Sequence, residues 1–174
     1  MEPLIGEVAG HSPSIAPDAW IAPGAVVLGD ITLGSQVSVF YGCVLRSEHA
    51  PITVGEQTNL QDGVIAHADP GFPTSIGARV SAGHRATLHG CTVADDVLVG
   101  MGATLLNGSR VGAWSLVAAG AVVREGFEVP EGSLVAGVPA RIVRPLTDEE
   151  RVKITLNAQV YLTLSQQHAR RTDS

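Results

Sequence analysis

With 174 residues and 45% apolar content, the chain has the size of one domain and enough hydrophobic surface to bury a core. Only 4% is aromatic, and a net charge of −6 with a single lysine, Lys153, leaves no basic stripe to suit nucleic acid or an anionic membrane surface. The first twenty residues carry Glu2 and Glu7 and no apolar run, which argues against a secretory signal or a membrane span; Cys43 and Cys91 form no metal-binding or redox motif, so a reduced cytoplasmic protein is expected.

From Ile15 onward an apolar residue returns every sixth position: Ile21, Val27, Leu33, Val39 and Leu45, then Val54, Leu60 and Ala66, then Ile76, Ala82 and Leu88. A stricter run follows from Val93 through Val99, Leu105, Val111, Val117, Val123 and Val129 to Val135. Strands of a sandwich alternate with period two between irregular turns, so this periodicity points elsewhere, to a hexapeptide-repeat solenoid. Each hexad is then one short strand and a turn. Its apolar side chain points into a narrow tube, glycine or a small residue turns the corner, and three hexads close a triangular coil. A tube lined by Ile, Val, Leu and Ala has little room for rings, which agrees with the low aromatic content.

The same phase locates the histidines. His67 follows Ala66 and His89 follows Leu88, so both take the second place of their hexads. Three hexad steps separate Ala66 from Leu88, provided that the Asp69-Pro70-Gly71-Phe72-Pro73 stretch is a loop. His67 and His89 then stack in adjacent coils and point outward from one edge, close enough to share a metal ion. His84 takes the third place of its hexad and belongs to another edge. A catalytic metal with an open position needs three protein ligands, and the simplest arrangement is a threefold trimer in which His84 of one subunit faces His67 and His89 of the next. Singly, each histidine would be read as solvated or structural; His11 and His168 are read as surface residues.

The repeat ends near Val138-Pro139-Ala140, which divides the chain into a β-helix over 1–144 and a C-terminal helix with its tail over 145–174, packed on the solenoid. Thr147-Asp148-Glu149-Glu150 is a capping box with Thr147 as N-cap, and predicts a helix over 148–168. Against it, Val152, Ile154, Leu156, Ala158, Val160, Leu162 and Leu164 alternate with mostly polar neighbours in the manner of a strand.

The run Val44-Leu45-Arg46-Ser47-Glu48, then Asn59-Leu60-Gln61-Asp62-Gly63, His67, Gly83-His84, Leu88-His89-Gly90-Cys91 and Val99-Gly100-Met101-Gly102, resembles the γ-class carbonic anhydrases and their bacterial relatives, from about Ile15 to Ala140. The resemblance implies a left-handed parallel β-helix with a C-terminal helix, assembled as a homotrimer; from the charge pattern, no nucleic acid or membrane is expected as a partner. It implies zinc, or else iron(II) or cobalt(II), between subunits, held by His67 and His89 of one chain and His84 of the next. The implied reaction is reversible hydration of carbon dioxide to bicarbonate through metal-bound hydroxide. Gln61 would hydrogen-bond the metal-bound water with Asn59 beside it, and Arg46 and Asp62 would pair across the interface. Arg46 joins the second-place column of His67 if Glu48 to Thr53 contains a loop. Glu48 completes the Arg-Ser-acid run. The sequence departs from the family at His49, which stands where a glutamate is expected. A histidine suits a proton shuttle; an exposed loop residue is the other reading. The acidic loop after His67 is also short.

Two other functions fit parts of the sequence. Gly137-Val138-Pro139-Ala140-Arg141 resembles the end of the repeat in hexapeptide acyltransferases or thioesterase-like enzymes acting on acyl-CoA, although those usually use one catalytic histidine and longer loops. A non-catalytic trimer that keeps the metal for folding or docking is the third.

Overall fold

The structure is a computed structural model and describes residues 2–172. The strands are short and stack in parallel into three faces, as a hexad of strand plus turn requires. The first face carries Ile65–His67, Thr87–His89, Thr104–Leu105 and Val122–Val123; the second carries Thr74–Ile76, Thr92–Val93, Arg110–Val111 and Glu128–Val129. The third runs from Trp20–Ile21 through Ser38–Val39, Asn59–Leu60, Ser81–Ala82, Leu98–Val99 and Leu116–Val117 to Ser133–Ala136. Two long strands, Val26–Leu33 and Val44–Val54, turn the corner between the first and second faces and join them into one sheet.

The six-residue column lines the tube. Val27, Leu45, Ala66, Leu88, Leu105 and Val123 on the first face are fully buried, as are Val39, Leu60, Ala82, Val99 and Val117 on the third. Each packs on its equivalent one coil away, since Leu45, Ala66, Leu88, Leu105 and Val123 pair in register. Cys43 and Cys91 are buried free thiols whose pKa burial pushes up to about 12, so they belong to the core.

Three features depart from the expectations. The N-terminal segment Leu4–Gly6 adds a parallel strand beside Val26–Leu28, ahead of the first recognisable hexad. The extra residues after Glu48 form no open loop: the strand continues to Val54, and the register shifts where Ser47 pairs with Gly29 and Ile52 with Ile31. Gly29 lies at φ 93° against the Ser47 carbonyl, where a Cβ would collide. At the far end, past Val138-Pro139-Ala140 where the repeat was expected to stop, Arg141–Pro145 returns antiparallel along Ser133–Ala136. It occupies an edge that the last coil would leave open.

The helix spans Asp148–Thr172, longer than the capping box alone suggested. The box forms as read: Thr147 Oγ1 accepts from the Glu150 amide at 3.3 Å, and Glu150 Oε2 accepts from the Thr147 amide at 2.9 Å. Arg144 grips the same carboxylate with two bonds of 2.7 Å. The alternating apolar pattern is compatible with a helix because a step of two residues is roughly 200°, which gives two opposite stripes. Ile154 and Ala158 are buried, while Val152, Leu156 and Val160 are more than half exposed. The helix contacts the third face at Trp20–Ile21, Asn59–Leu60 and Ser81–Ala82. There Phe40 meets Tyr161 edge-on at 5.5 Å, and the Tyr41 hydroxyl bonds His168 Nδ1 at 2.9 Å beside Trp20. His168 is therefore a helix anchor, contrary to its reading as a surface residue.

Candidate metal centre

The first-face ladder places His67 opposite His89, one coil apart, and Arg46 opposite His67. The loop expected after His67 is a tight turn in which the Phe72 amide donates to the Asp69 carbonyl at 2.8 Å. His67 Nδ1 and His89 Nε2 face each other at 3.1 Å, with the ring centroids 5.1 Å apart.

The outward nitrogens are both held by neighbours. Glu48 Oε2 lies 3.1 Å from His67 Nε2, and Asn107 Oδ1 lies 2.9 Å from His89 Nδ1. A carboxylate and an amide oxygen only accept, so each imidazole carries its proton on that side. Two bare lone pairs are left facing one another across 3.1 Å, a repulsive arrangement unless a cation or a proton lies between them. Two ligands on one tetrahedral zinc, with bonds of about 2.0 to 2.1 Å, sit roughly 3.3 Å apart. The donor chemistry and the spacing both fit a metal.

The Glu48 carboxyl is drawn two ways. Burial raises its pKa, but hydrogen bonds from His67 and from the Arg46 guanidinium outweigh that and hold it below the usual carboxylate value. Asp69 Oδ1 stands 3.8 Å from both His67 Nδ1 and His89 Nε2, too far for a hydrogen bond. His67, Asp69 and His89 make up the group of possible metal donors among the described residues. His84 is not part of it.

His84 lies between the third-face strand Ser81–Ala82 and the first-face strand Thr87–His89, at the opposite end of the strand that carries His89. Its Nδ1 is 2.9 Å from Asp62 Oδ2, and its Nε2 is 3.2 Å from the Tyr161 hydroxyl. Beside it is a cavity of about 380 Å3 between the third face and the helix, whose lining includes Gln61, Met101, Leu116 and Asn157. Gln61 donates to Asn59 Oδ1 at 3.2 Å, and Asn59 in turn donates to Ser81 Oγ at 2.9 Å, so the Gln61 amide is fixed by buried partners. Within one chain the candidates therefore form two groups: Arg46, Glu48, His67 and His89 at one edge, and Asn59, Gln61, Asp62 and His84 at the other. Arg46 pairs with Glu48, and Asp62 with His84. His49 is exposed on the strand that carries Glu48.

Three residues of the site carry no role in the sequence reading: Asp69, named there only as part of a loop, Asn107 and Tyr161. Asn107 follows His89 by 18 residues, one more than the 17 between the register partners Leu88 and Leu105, so the phase of the repeat does not single it out. Tyr161 comes from the helix, whose placement over the repeat has no local signature.

No family model matches the chain. It is 45% identical over 168 residues to "Gamma carbonic anhydrase 2, mitochondrial" of Arabidopsis thaliana, covering 93% of this chain and 60% of that protein. It is 46% identical over 152 residues to "Probable carbonic anhydrase" of Methanocaldococcus jannaschii, covering 87% and 96%. Thus it spans about three fifths of the plant relative and nearly the whole of the archaeal one. A solved structure of a putative acetyltransferase from Bacillus cereus superposes with a TM-score of 0.95 at 30% identity, over 97% of this chain and 98% of the other.

Proposed function

The chain belongs to the γ carbonic anhydrase family, and from that premise we propose that it hydrates carbon dioxide reversibly to bicarbonate at a metal shared between subunits of a trimer. The observation that carries the reading is the His67 and His89 pair, with proton-bearing nitrogens turned outward and two lone pairs turned together at 3.1 Å. One chain supplies two such donors at one edge and His84 at another, so a subunit interface that joins the two edges completes a three-histidine set. His84 is suited to the part, because a proton on Nδ1, held by Asp62, leaves the Nε2 lone pair to coordinate once a metal displaces the Tyr161 hydroxyl that faces it at 3.2 Å. Zinc is the expected metal, with iron(II) or cobalt(II) also compatible with imidazole.

When bound, the metal would supply Lewis acidity, undiminished by charged ligands, that makes water a nucleophile toward carbon dioxide near neutral pH. The protein's own groups do the rest. Gln61 belongs to the His84 side, and Asn59 fixes its amide so that it can orient a bound oxygen. Glu48 accepts the His67 Nε2 proton and, held by Arg46, keeps that ring in its donor tautomer. A carboxylate whose pKa is held low is a poor proton carrier at neutral pH. We assign export of the product proton to His49, which reaches solvent from the same strand.

Stopped-flow hydration of carbon dioxide by the zinc-loaded protein tests the reading. His67→Ala and His84→Ala are each expected to abolish stoichiometric metal and reduce hydration to background. His49→Ala is expected to lower kcat with little effect on kcat/KM and to be rescued by imidazole buffer. Turnover of acetyl-CoA without hydration would replace the reading with the acyltransferase one; stoichiometric metal without either activity would leave a structural metal.

A further inference from the structure

We infer that Asn107 and Asp69 form a relay that fixes the tautomer and the angle of His89, which makes Asn107 a positioning residue for the metal. The inference rests on the metal reading above and adds residues that the family motifs did not supply. Asn107 reaches His89 from the neighbouring coil: its Oδ1 lies 2.9 Å from His89 Nδ1, and its Nδ2 donates to Asp69 Oδ2 at 2.8 Å. The order of the two contacts matters. An amide has one accepting and one donating end, and a hydroxyl or water in its place could serve His89 with either polarity. The Asp69 carboxylate can only accept, so it consumes the donating end and turns Oδ1 toward the ring. His89 Nδ1 must then carry the proton, and Nε2 is left bare toward His67 Nδ1.

The space for this contact is built into the backbone. Gly90, at φ 59°, has no side chain where the Asn107 amide passes; a Cβ there would strike Asn107 Oδ1 and crowd the Phe72 Cβ. The turn carrying Asp69 is tied at both ends. Thr74 Oγ1 donates to the His67 carbonyl at 2.6 Å and accepts from the Gly90 amide at 2.9 Å. Asp69 itself, at 3.8 Å from each imidazole, acts on His89 through Asn107. Each histidine of the pair thus has its own orienter, Glu48 directly for His67 and Asp69 by way of Asn107 for His89.

The test compares Asn107→Ala, Asn107→Asp, Asp69→Asn and the exchange variant Asp69→Asn/Asn107→Asp in the full chain. Zinc affinity is read by chelator competition, and the His89 tautomer by nitrogen-15 NMR of the metal-free protein. Asn107→Ala is expected to weaken zinc binding about 10- to 100-fold, the usual cost of losing a partner behind a ligand, and to release the His89 proton from Nδ1. Asn107→Asp sets carboxylate against carboxylate and is expected to weaken binding too. The exchange variant restores one donor between the two positions and an acceptor toward His89, and is expected to recover most of the affinity. A purely structural Asn107 would instead lower the thermal stability of the metal-free protein as much as that of the loaded one, and the exchange would rescue nothing. Wild-type tautomer and affinity in Asn107→Ala would overturn the inference and leave the metal reading standing. If Asn107→Ala does not fold, Asp69→Asn and the exchange variant decide by the same two readouts. A wild-type protein that binds no zinc would sink the metal reading, while the tautomer comparison would still decide the relay.

Discussion

Single residues here have consequences through the register of one coil on the next. Gly29 is the clearest backbone case, since its left-handed φ and the adjacent Ser47 carbonyl both exclude a side chain. Gly29→Ala is expected to cost more than about 2 kcal/mol, because strain at φ > 0 adds to a backbone clash; chemical denaturation checks this, and a change below about 0.5 kcal/mol would contradict it. Arg46 and Asp62, expected to meet each other across an interface, are engaged within the chain by Glu48 and His84. Asn107 went unnoticed because a lone asparagine in a turn carries no signal until the coil spacing brings it beside His89.

Among the elements, the C-terminal helix shows how much two faces can differ. Ile154 is buried against the third face and Leu156 is on the outer stripe. Ile154→Ala is expected to destabilise by about 2 to 5 kcal/mol, and Leu156→Ala by no more than about 0.5 kcal/mol in the isolated chain. A larger Leu156 effect that grows with protein concentration would mean that another subunit covers the outer stripe. The helix start should also respond to acid. Glu150 is held to about 2 from its ordinary 4.5, first by Arg144 and then by the Thr147 amide. A depressed carboxylate stabilises above the unfolded value and loses that contribution as the pH falls from about 4.5 toward 2. Melting temperatures of wild type and Glu150→Gln should therefore converge over this window; a constant gap would show that the contact adds nothing pH-dependent. The alternation in this segment was ambiguous in the sequence because a period of two, on a helix, describes two stripes as well as it describes a strand.

For the whole molecule, stacked coils make stability a sum over neighbours, and any metal between subunits adds to it by mass action. At a free metal concentration 1,000 times its dissociation constant the gain is about 4 kcal/mol. Removal of the metal with a chelator is thus expected to lower the melting temperature and shift the assembly toward smaller species in sedimentation, with both reversed by zinc. An unchanged assembly without metal would separate trimer formation from the site.

The sequence by itself determined the tube, because a period of six can bury its apolar column in few other ways, and it determined which histidines share a column, because three hexads make one coil. It also located the helix start, since a capping box is local chemistry. The tertiary structure decided what depends on contacts between coils: the bulge that absorbs the residues after Glu48, the antiparallel strand over the last coil, the helix face that meets the third sheet, and the Asp69, Asn107 and His89 chain of hydrogen bonds. The Asn107 bonds to His89 and Asp69 join positions 18 and 38 residues apart, and local periodicity cannot say which side chains will meet once the turns between them are built.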